Sequence, residues 1–189
     1  VVLTIDSELQ EKMENIIKDS VEQLQNEGEK TEYAAAVLMD VKSGEVLAMC
    51  SYPTYSPEVF VGGISTKDWK EIQSGNNPLY DRAVQGSYAP GSTFKMVTAT
   101  AALESNVVTP TEYVYDRGVY PYSHNPVCWY YTSYHRGHGN INVKTALQKS
   151  CNCFFYEMGR RLGVDTIAKY ARYFCLGEKT GIELTGEAS

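Results

Sequence analysis

No apolar run in this chain approaches the length of a membrane span, and no leader with a basic start and an apolar middle opens it. A basic stripe is missing too. Seventeen Lys and Arg stand against 23 Asp and Glu, for a net charge of -6, which argues against nucleic acid as a partner. Cysteine is scarce and odd in number. Cys50, Cys128, Cys151, Cys153 and Cys175 fall at irregular spacing, which excludes a disulfide framework and leaves free thiols or metal ligands. Internal repeats and low-complexity tracts are absent as well. What remains is 189 residues, 43% of them hydrophobic, the composition of one globular domain or most of one. The opening Val1-Val2-Leu3-Thr4-Ile5 reads as a strand with nothing before it, so an upstream part is expected.

Along the chain, Leu9, Met13, Ile16, Ile17, Val21 and Leu24 recur at spacings of three and four. They predict a helix over Ser7 to Asn26 whose single apolar face covers a sheet. Ser7 with Gln10 reads as a capping box and Gly28 as the stop. The runs "YAAAVLMD" and "EVLAMCS", joined by Val41-Lys42-Ser43-Gly44, predict a β-hairpin with the Ser-Gly pair as its turn. An extended loop and a short helix over Lys67 to Gln73 follow. Further helices are expected over Ser92 to Ser105, Val143 to Lys149, Phe154 to Leu162 and Asp165 to Phe174. Between them lies Val107 to Asn140, read as one long irregular region. It is rich in tyrosine and holds all three histidines, and a connection of that length is often functional.

Chemistry concentrates at Ser92 and Lys95. Ser92 follows Pro90-Gly91 and falls in the first turn of its helix, where backbone N–H groups are free and the helix dipole favours negative charge. Lys95, three residues on, shares its face. A serine hydroxyl becomes a nucleophile only when a base takes its proton, and a lysine serves once burial lowers its pKa. The surrounding "TFKMVTATAAL" is otherwise apolar, so a lysine there needs a reason. A Ser-x-Asn element would add a relay hydroxyl and a substrate-binding amide. The chain has three: Ser74-Gly75-Asn76, Ser123-His124-Asn125 and Ser150-Cys151-Asn152. Only the third sits between two predicted helices, which singles out Ser150 and Asn152. Separately, Cys128, His135 and His138 lie close in sequence, and Asp116 and Cys151 can add a carboxylate and a thiolate. Zinc takes four such ligands in a tetrahedral site.

Together, "LYDRAVQGSYAPGSTFK", "GHGNINVKTALQKSCNCFFYEMG", "EKTGIELTGE", "LTIDSELQ" and "DVKSGEVLAMCSYPTYSPEVF" resemble the transpeptidase domain of class B penicillin-binding proteins, over nearly the whole chain. The resemblance implies an α+β fold, an antiparallel sheet flanked by helices as in penicillin-binding proteins and serine β-lactamases. Residues 1–51 would be the opening helix and first hairpin, and 52–189 the helical and loop part with the active-site serine. It implies a serine D,D-transpeptidase acting on the D-Ala-D-Ala end of peptidoglycan stem peptides and acylated by β-lactams. Ser92 would be the nucleophile, Lys95 the base, Ser150 the proton relay and Asn152 the holder of the peptide amide.

Some members of the elongation or sporulation type carry zinc here. The elements Cys128-Trp129, Gly137-His138-Gly139 and Ser150-Cys151-Asn152 are the matching positions, which favours Asp116, Cys128, His138 and Cys151 as ligands, with His135 as a substitute. That metal would be structural. The resemblance further implies a membrane glycosyltransferase partner and a place on the extracytoplasmic face of the bacterial cytoplasmic membrane. Lys179-Thr180-Gly181 is not assigned as the family's third motif, because it follows closely on a helix. That motif, its C-terminal strands and a membrane anchor are expected outside these 189 residues, which alone are expected to be inactive. Two alternatives stay open: a serine β-lactamase or β-lactam sensor, and a non-catalytic, zinc-stapled binding module.

Overall fold

The computed structural model describes residues 2–122 and 124–188, so Ser123 of the second Ser-x-Asn tripeptide lies outside the described residues. The chain divides into two units. One takes the chain up to Ser87 together with Ile182–Ala188, and the other takes Tyr88–Gly181.

In the first unit, α1 (Ser7–Asn26) begins where the periodicity predicts, but its cap differs. The Asp6 carboxylate accepts from the Glu8 and Leu9 N–H groups, each at 3.0 Å. An acid there satisfies free donors and suits the helix dipole, so it displaces Ser7 from the role. Gln10 does not turn back to a capping box. Its amide donates to the Met49 carbonyl and accepts the Met49 N–H, both at 2.8 Å, occupying the strand edge that a neighbouring strand would use. Nor is the opening stretch, described from residue 2 onward, a strand. It is irregular, although Asp6 N–H donates to the Leu47 carbonyl at 2.9 Å and Thr4 Oγ1 to the Val46 carbonyl at 2.6 Å.

β1 (Ala34–Met39) and β2 (Val46–Tyr52) form the expected antiparallel hairpin, with Ala36 opposite Cys50. Its turn is organised by Asp40. The carboxylate accepts from the N–H groups of Lys42 at 2.7 Å and Ser43 at 2.9 Å. These bonds, Ser43 first, hold the Asp40 carboxyl below the usual carboxylate range. α1 packs on β2, and Val21, Ala48 and Cys50 are buried there. α2 (Thr66–Ser74) follows.

Arg82 is buried, a rare state for arginine. Its guanidinium donates to the carbonyls of Asn76 at 2.7 Å, Asn77 at 3.1 Å and Tyr80 at 3.2 Å, and lies 4.3 Å from the centre of the Tyr33 ring. Arg82→Met would leave those carbonyls without their donor, and is expected to cost about 2–4 kcal/mol in urea unfolding.

The second unit contains α3 (Lys95–Glu104), β3 (Val114–Asp116), α4 (Trp129–Tyr134), β4 (Gly139–Ile141), α5 (Val143–Gln148), α6 (Asn152–Leu162) and α7 (Val164–Tyr173). Its core gathers Ala99, Ala101 and Ala102 of α3 with Phe154, Phe155 and Met158 of α6. Small residues on one helix let the large residues of its neighbour approach and interdigitate. The Val107 to Asn140 region is not structureless. β3 pairs with β4 in antiparallel fashion, Val114 opposite Ile141 and Asp116 opposite Gly139, and α4 lies between them. Strands of three residues and a helix of six are too short to show a period in sequence. Lys179-Thr180-Gly181 lies in irregular chain after α7.

Candidate active site

Ser92 lies in a 3-10 turn, Gly91–Phe94, that leads directly into α3. Gly91 takes φ +54°, a conformation that suits glycine. Lys95 opens α3, one turn on from the serine. Its Nζ stands 3.1 Å from Ser92 Oγ, 2.9 Å from Ser150 Oγ, 2.8 Å from the Ser150 carbonyl and 2.6 Å from Asn152 Oδ1. Ser150 Oγ donates to Ser92 Oγ at 2.9 Å. The two hydroxyls and the amine therefore form a closed triangle.

Ser150 comes from the turn between α5 and α6, with φ +48°. A non-glycine residue held there is strained, and such strain clusters where a side chain must be aimed. Here it turns the hydroxyl towards Lys95. An ammonium has three N–H groups, yet four oxygens surround this nitrogen. A neutral amine has two N–H groups and one lone pair, again three directions, so one contact is shared in either state. Only the neutral form has the lone pair that can accept the Ser92 hydroxyl proton. Burial pushes the Lys95 pKa down, against the opposing pull of any negative charge on Cys151 and Cys128.

A second cluster lies beside the first. Asp116 ends β3, Cys128 precedes α4, His138 precedes β4, and Cys151 caps α6 between Ser150 and Asn152. One ligand atom from each lies within 4.8 Å of all the others. Asp116 Oδ2 is 2.7 Å from His138 Nδ1 and 3.3 Å from Cys151 Sγ, and Cys128 Sγ is 3.7 Å from His138 Nδ1. Tetrahedral zinc with such ligands separates them by about 3.3–3.8 Å, from its bond lengths, so the donor set fits that ion with small adjustments.

Burial raises the Asp116 pKa, but N–H groups of His138 and Gly118 and the side chains of His138 and Cys153 outweigh it and hold the carboxyl below its ordinary value. Burial drives the Cys151 and Cys153 thiols well above theirs. A bound cation would reverse that for a ligating thiol. His138 Nε2 is buried with no hydrogen-bond partner among the described residues. The ring is held on its other face by Tyr130, stacked at 4.4 Å. His135 is not part of this group. It ends α4 in a left-handed conformation, exposed, with its ring against Tyr131.

Gly137 is what lets the two halves of the cluster meet. A Cβ there would overlap the Asp116 carbonyl oxygen and stand 2.5 Å from the Arg117 carbonyl carbon and the Gly118 nitrogen. Gly137→Ala is expected to push β3 and the His138 loop apart and lower stability by about 1–3 kcal/mol, read as a fall in Tm.

A model of the penicillin binding protein transpeptidase domain matches residues 34–189. The chain belongs to the penicillin-binding protein transpeptidase family. Peptidoglycan D,D-transpeptidase MrdA of Escherichia coli strain K12 is 35% identical over 193 residues, covering 100% of this chain and 28% of that protein. Stage V sporulation protein D of Bacillus subtilis is 35% identical over 196 residues, covering 99% and 26%. The chain thus spans about a quarter of the length of these relatives. Among solved structures, Pseudomonas aeruginosa PBP2 superposes with a TM-score of 0.85 at 36% identity, over 100% of this chain and 40% of that one. A chain from a peptidoglycan synthase complex that coordinates polymerization and crosslinking superposes at 0.82 with 34% identity, over 96% and 33%. The expected α+β fold is therefore that of penicillin-binding protein transpeptidase domains.

Within this transpeptidase domain, every residue singled out for catalysis, Ser92, Lys95, Ser150 and Asn152, meets at one nitrogen. Sequence reasoning missed Tyr130 and Gly137. Tyr130 was one aromatic among many nearby. The Gly-His-Gly run marked the place of Gly137, but the close backbone approach that demands glycine appears only in three dimensions. Among the described residues, no helix is long and apolar enough to cross a membrane.

Proposed function

We propose that this chain carries the acylating centre of a serine D,D-transpeptidase that cross-links peptidoglycan stem peptides. The supporting observation is Lys95 Nζ within hydrogen-bond reach of two serine hydroxyls 58 residues apart in the chain. In this reading neutral Lys95 takes the Ser92 proton as Ser92 Oγ attacks the carbonyl of the penultimate D-Ala. The peptide C–N bond breaks, the terminal D-Ala leaves with a proton passed through Ser150 Oγ, and the acyl group stays on Ser92 as an ester. The amine of a second stem peptide then attacks that ester, returns a proton to the site and frees Ser92. Asn152 Oδ1 is engaged by Lys95, which leaves its NH₂ group to donate to the peptide. A β-lactam, similar in shape to the D-Ala-D-Ala end, acylates the same oxygen. The chemistry belongs on the extracytoplasmic face of the bacterial cytoplasmic membrane, alongside a membrane glycosyltransferase that supplies the glycan.

The test is intact-mass analysis of the full-length protein after a fluorescent penicillin. One adduct per chain, absent in Ser92→Ala and slow to hydrolyse, is expected. An adduct that survives Ser92→Ala refutes the assignment, and rapid turnover of the adduct marks a β-lactamase instead.

We further propose that Asp116, Cys128, His138 and Cys151 hold a structural zinc ion. Two thiols, an imidazole and a carboxylate at these separations support it. All four positions are filled by protein, so the ion stabilises the fold and leaves no place for a reactive water. It would tie the tyrosine-rich segment to the turn that aims Ser150 and Asn152.

A further inference from the structure

α6 presents two faces. Its first residue, Asn152, holds Lys95. Cys153, Glu157 and Arg161, four residues apart, form a neighbouring stripe that lines a cavity of 360 Å³. The opposite wall is the segment from Val114 to Tyr122. That volume lies at the low end of small-ligand sites, about 300–1,000 Å³, and suits a sugar ring rather than a folded partner.

The floor of the cavity is polar and fixed. Tyr120 donates its hydroxyl to Glu157 Oε2 at 2.8 Å, and Glu157 also accepts from Arg160 at 2.8 Å and Arg161 at 2.7 Å. Hydrogen bonds from Arg160 above all, aided by Arg161 and Tyr120 and opposed by burial, hold the Glu157 pKa down at about 2, so this carboxylate stays charged. The rim is aromatic and open. Tyr115 is 63% exposed and Tyr122 55%. Arg117 is exposed beside them and makes no ion pair among the described residues. Aromatic faces next to planar guanidinium and carboxylate groups match a pyranose. Its C–H face covers a ring, and adjacent hydroxyls can be taken as a pair by the Arg117 guanidinium, since Glu157 and Arg161 are bonded to each other and to their neighbours.

We infer that this cavity is a saccharide subsite that takes the N-acetylated amino sugar carrying the stem peptide. The inference rests on the transpeptidase reading above. Spacing favours it. At 1.5 Å per residue, Glu157 and Arg161 lie about 7 Å and about 13 Å along α6 from Asn152. Four extended residues between the sugar and the reacting carbonyl reach at most about 14 Å. A stem peptide whose end sits at Ser92 is therefore long enough to bring its sugar to the cavity, where Arg117 can donate to the acetamido carbonyl.

The experiment compares two acyl donors on the full-length protein: the disaccharide pentapeptide, and the same pentapeptide without sugar. The ratio of their kcat/KM values is the readout, so each variant is its own control for folding. Wild-type protein is expected to favour the sugar-bearing donor on the order of tenfold or more, equivalent to about one bidentate contact or stacked ring. In Arg117→Ala and in Tyr122→Ala that ratio is expected to fall towards one. Equal rates for both donors in the wild type, or a ratio unchanged in both variants, overturn the subsite. Failure of the transpeptidase reading looks different: fluorescent penicillin then leaves no Ser92-dependent adduct on wild-type protein.

Discussion

Replacing Lys95 by alanine is expected to slow β-lactam acylation of Ser92 by about 10²- to 10⁴-fold, the range a positioned general base supplies. The nucleophile remains in Lys95→Ala, so the loss measures removal of its proton acceptor and of the hydrogen bonds that align Ser150 and Asn152. Lys95→Arg is expected to be equally slow, because a guanidinium does not give up its proton. The pH dependence should follow the same group. Burial favours the uncharged amine, so the Lys95 pKa lies below the ordinary lysine value of 10.5. The acylation rate should then rise with pH through a single deprotonation whose midpoint falls below that value. Stability should follow with a defined sign. The folded chain binds this proton less tightly than the unfolded one, so burying Lys95 weighs against folding at low pH, and the penalty vanishes as pH rises to the ordinary value. A Lys95→Ala protein that acylates at the wild-type rate, or a rate that falls as pH rises through this range, would remove lysine from the role of base.

Stripping metal from the full-length protein, or replacing a ligand by Cys128→Ser, is expected to cost several kcal/mol and on the order of 10 °C in Tm. The purified protein should carry one zinc per chain by elemental analysis. The ligands come from four separate places, β3, the start of α4, the loop before β4 and the start of α6. Without the ion, hydrogen bonds among Asp116, Cys128, His138 and Cys151 have to join these four places in its stead. Acylation should fall as well, because Cys151 sits between Ser150 and Asn152 and caps α6, accepting the Phe154 N–H at 3.4 Å. Cys175→Ser, at an exposed thiol away from the cluster, serves as the comparison and should change neither zinc content nor Tm. Protein that is isolated free of zinc and melts at the same temperature as Cys128→Ser would end the zinc assignment.

Much of this was legible in the sequence where a signal is local. A helix of twenty residues with an apolar stripe announces itself, as does a hairpin of two apolar runs. The Ser-x-x-Lys pair is a one-turn relation, and helical geometry alone brings its two side chains together. The order of the motifs sufficed to mark the family resemblance. Caps were less legible. Asp6, Ser7 and Gln10 compete for the same N–H groups, and the choice was made by β2, whose exposed edge at Met49 claimed Gln10.

Other features depended on residues far apart in the chain. Ser150 was one of three candidate Ser-x-Asn serines, and only the packing of α6 against α3 puts its hydroxyl on Lys95. His138, rather than His135, meets Asp116, because Gly137 lets two backbones approach more closely than any side chain permits. The cavity along α6 needed a stripe at helical spacing to face a segment that no periodicity describes. Short-range geometry is written in residue spacing. Which distant groups share one small, partly dry volume is set by how the helices and short strands pack, and this decides the electrostatics at Lys95.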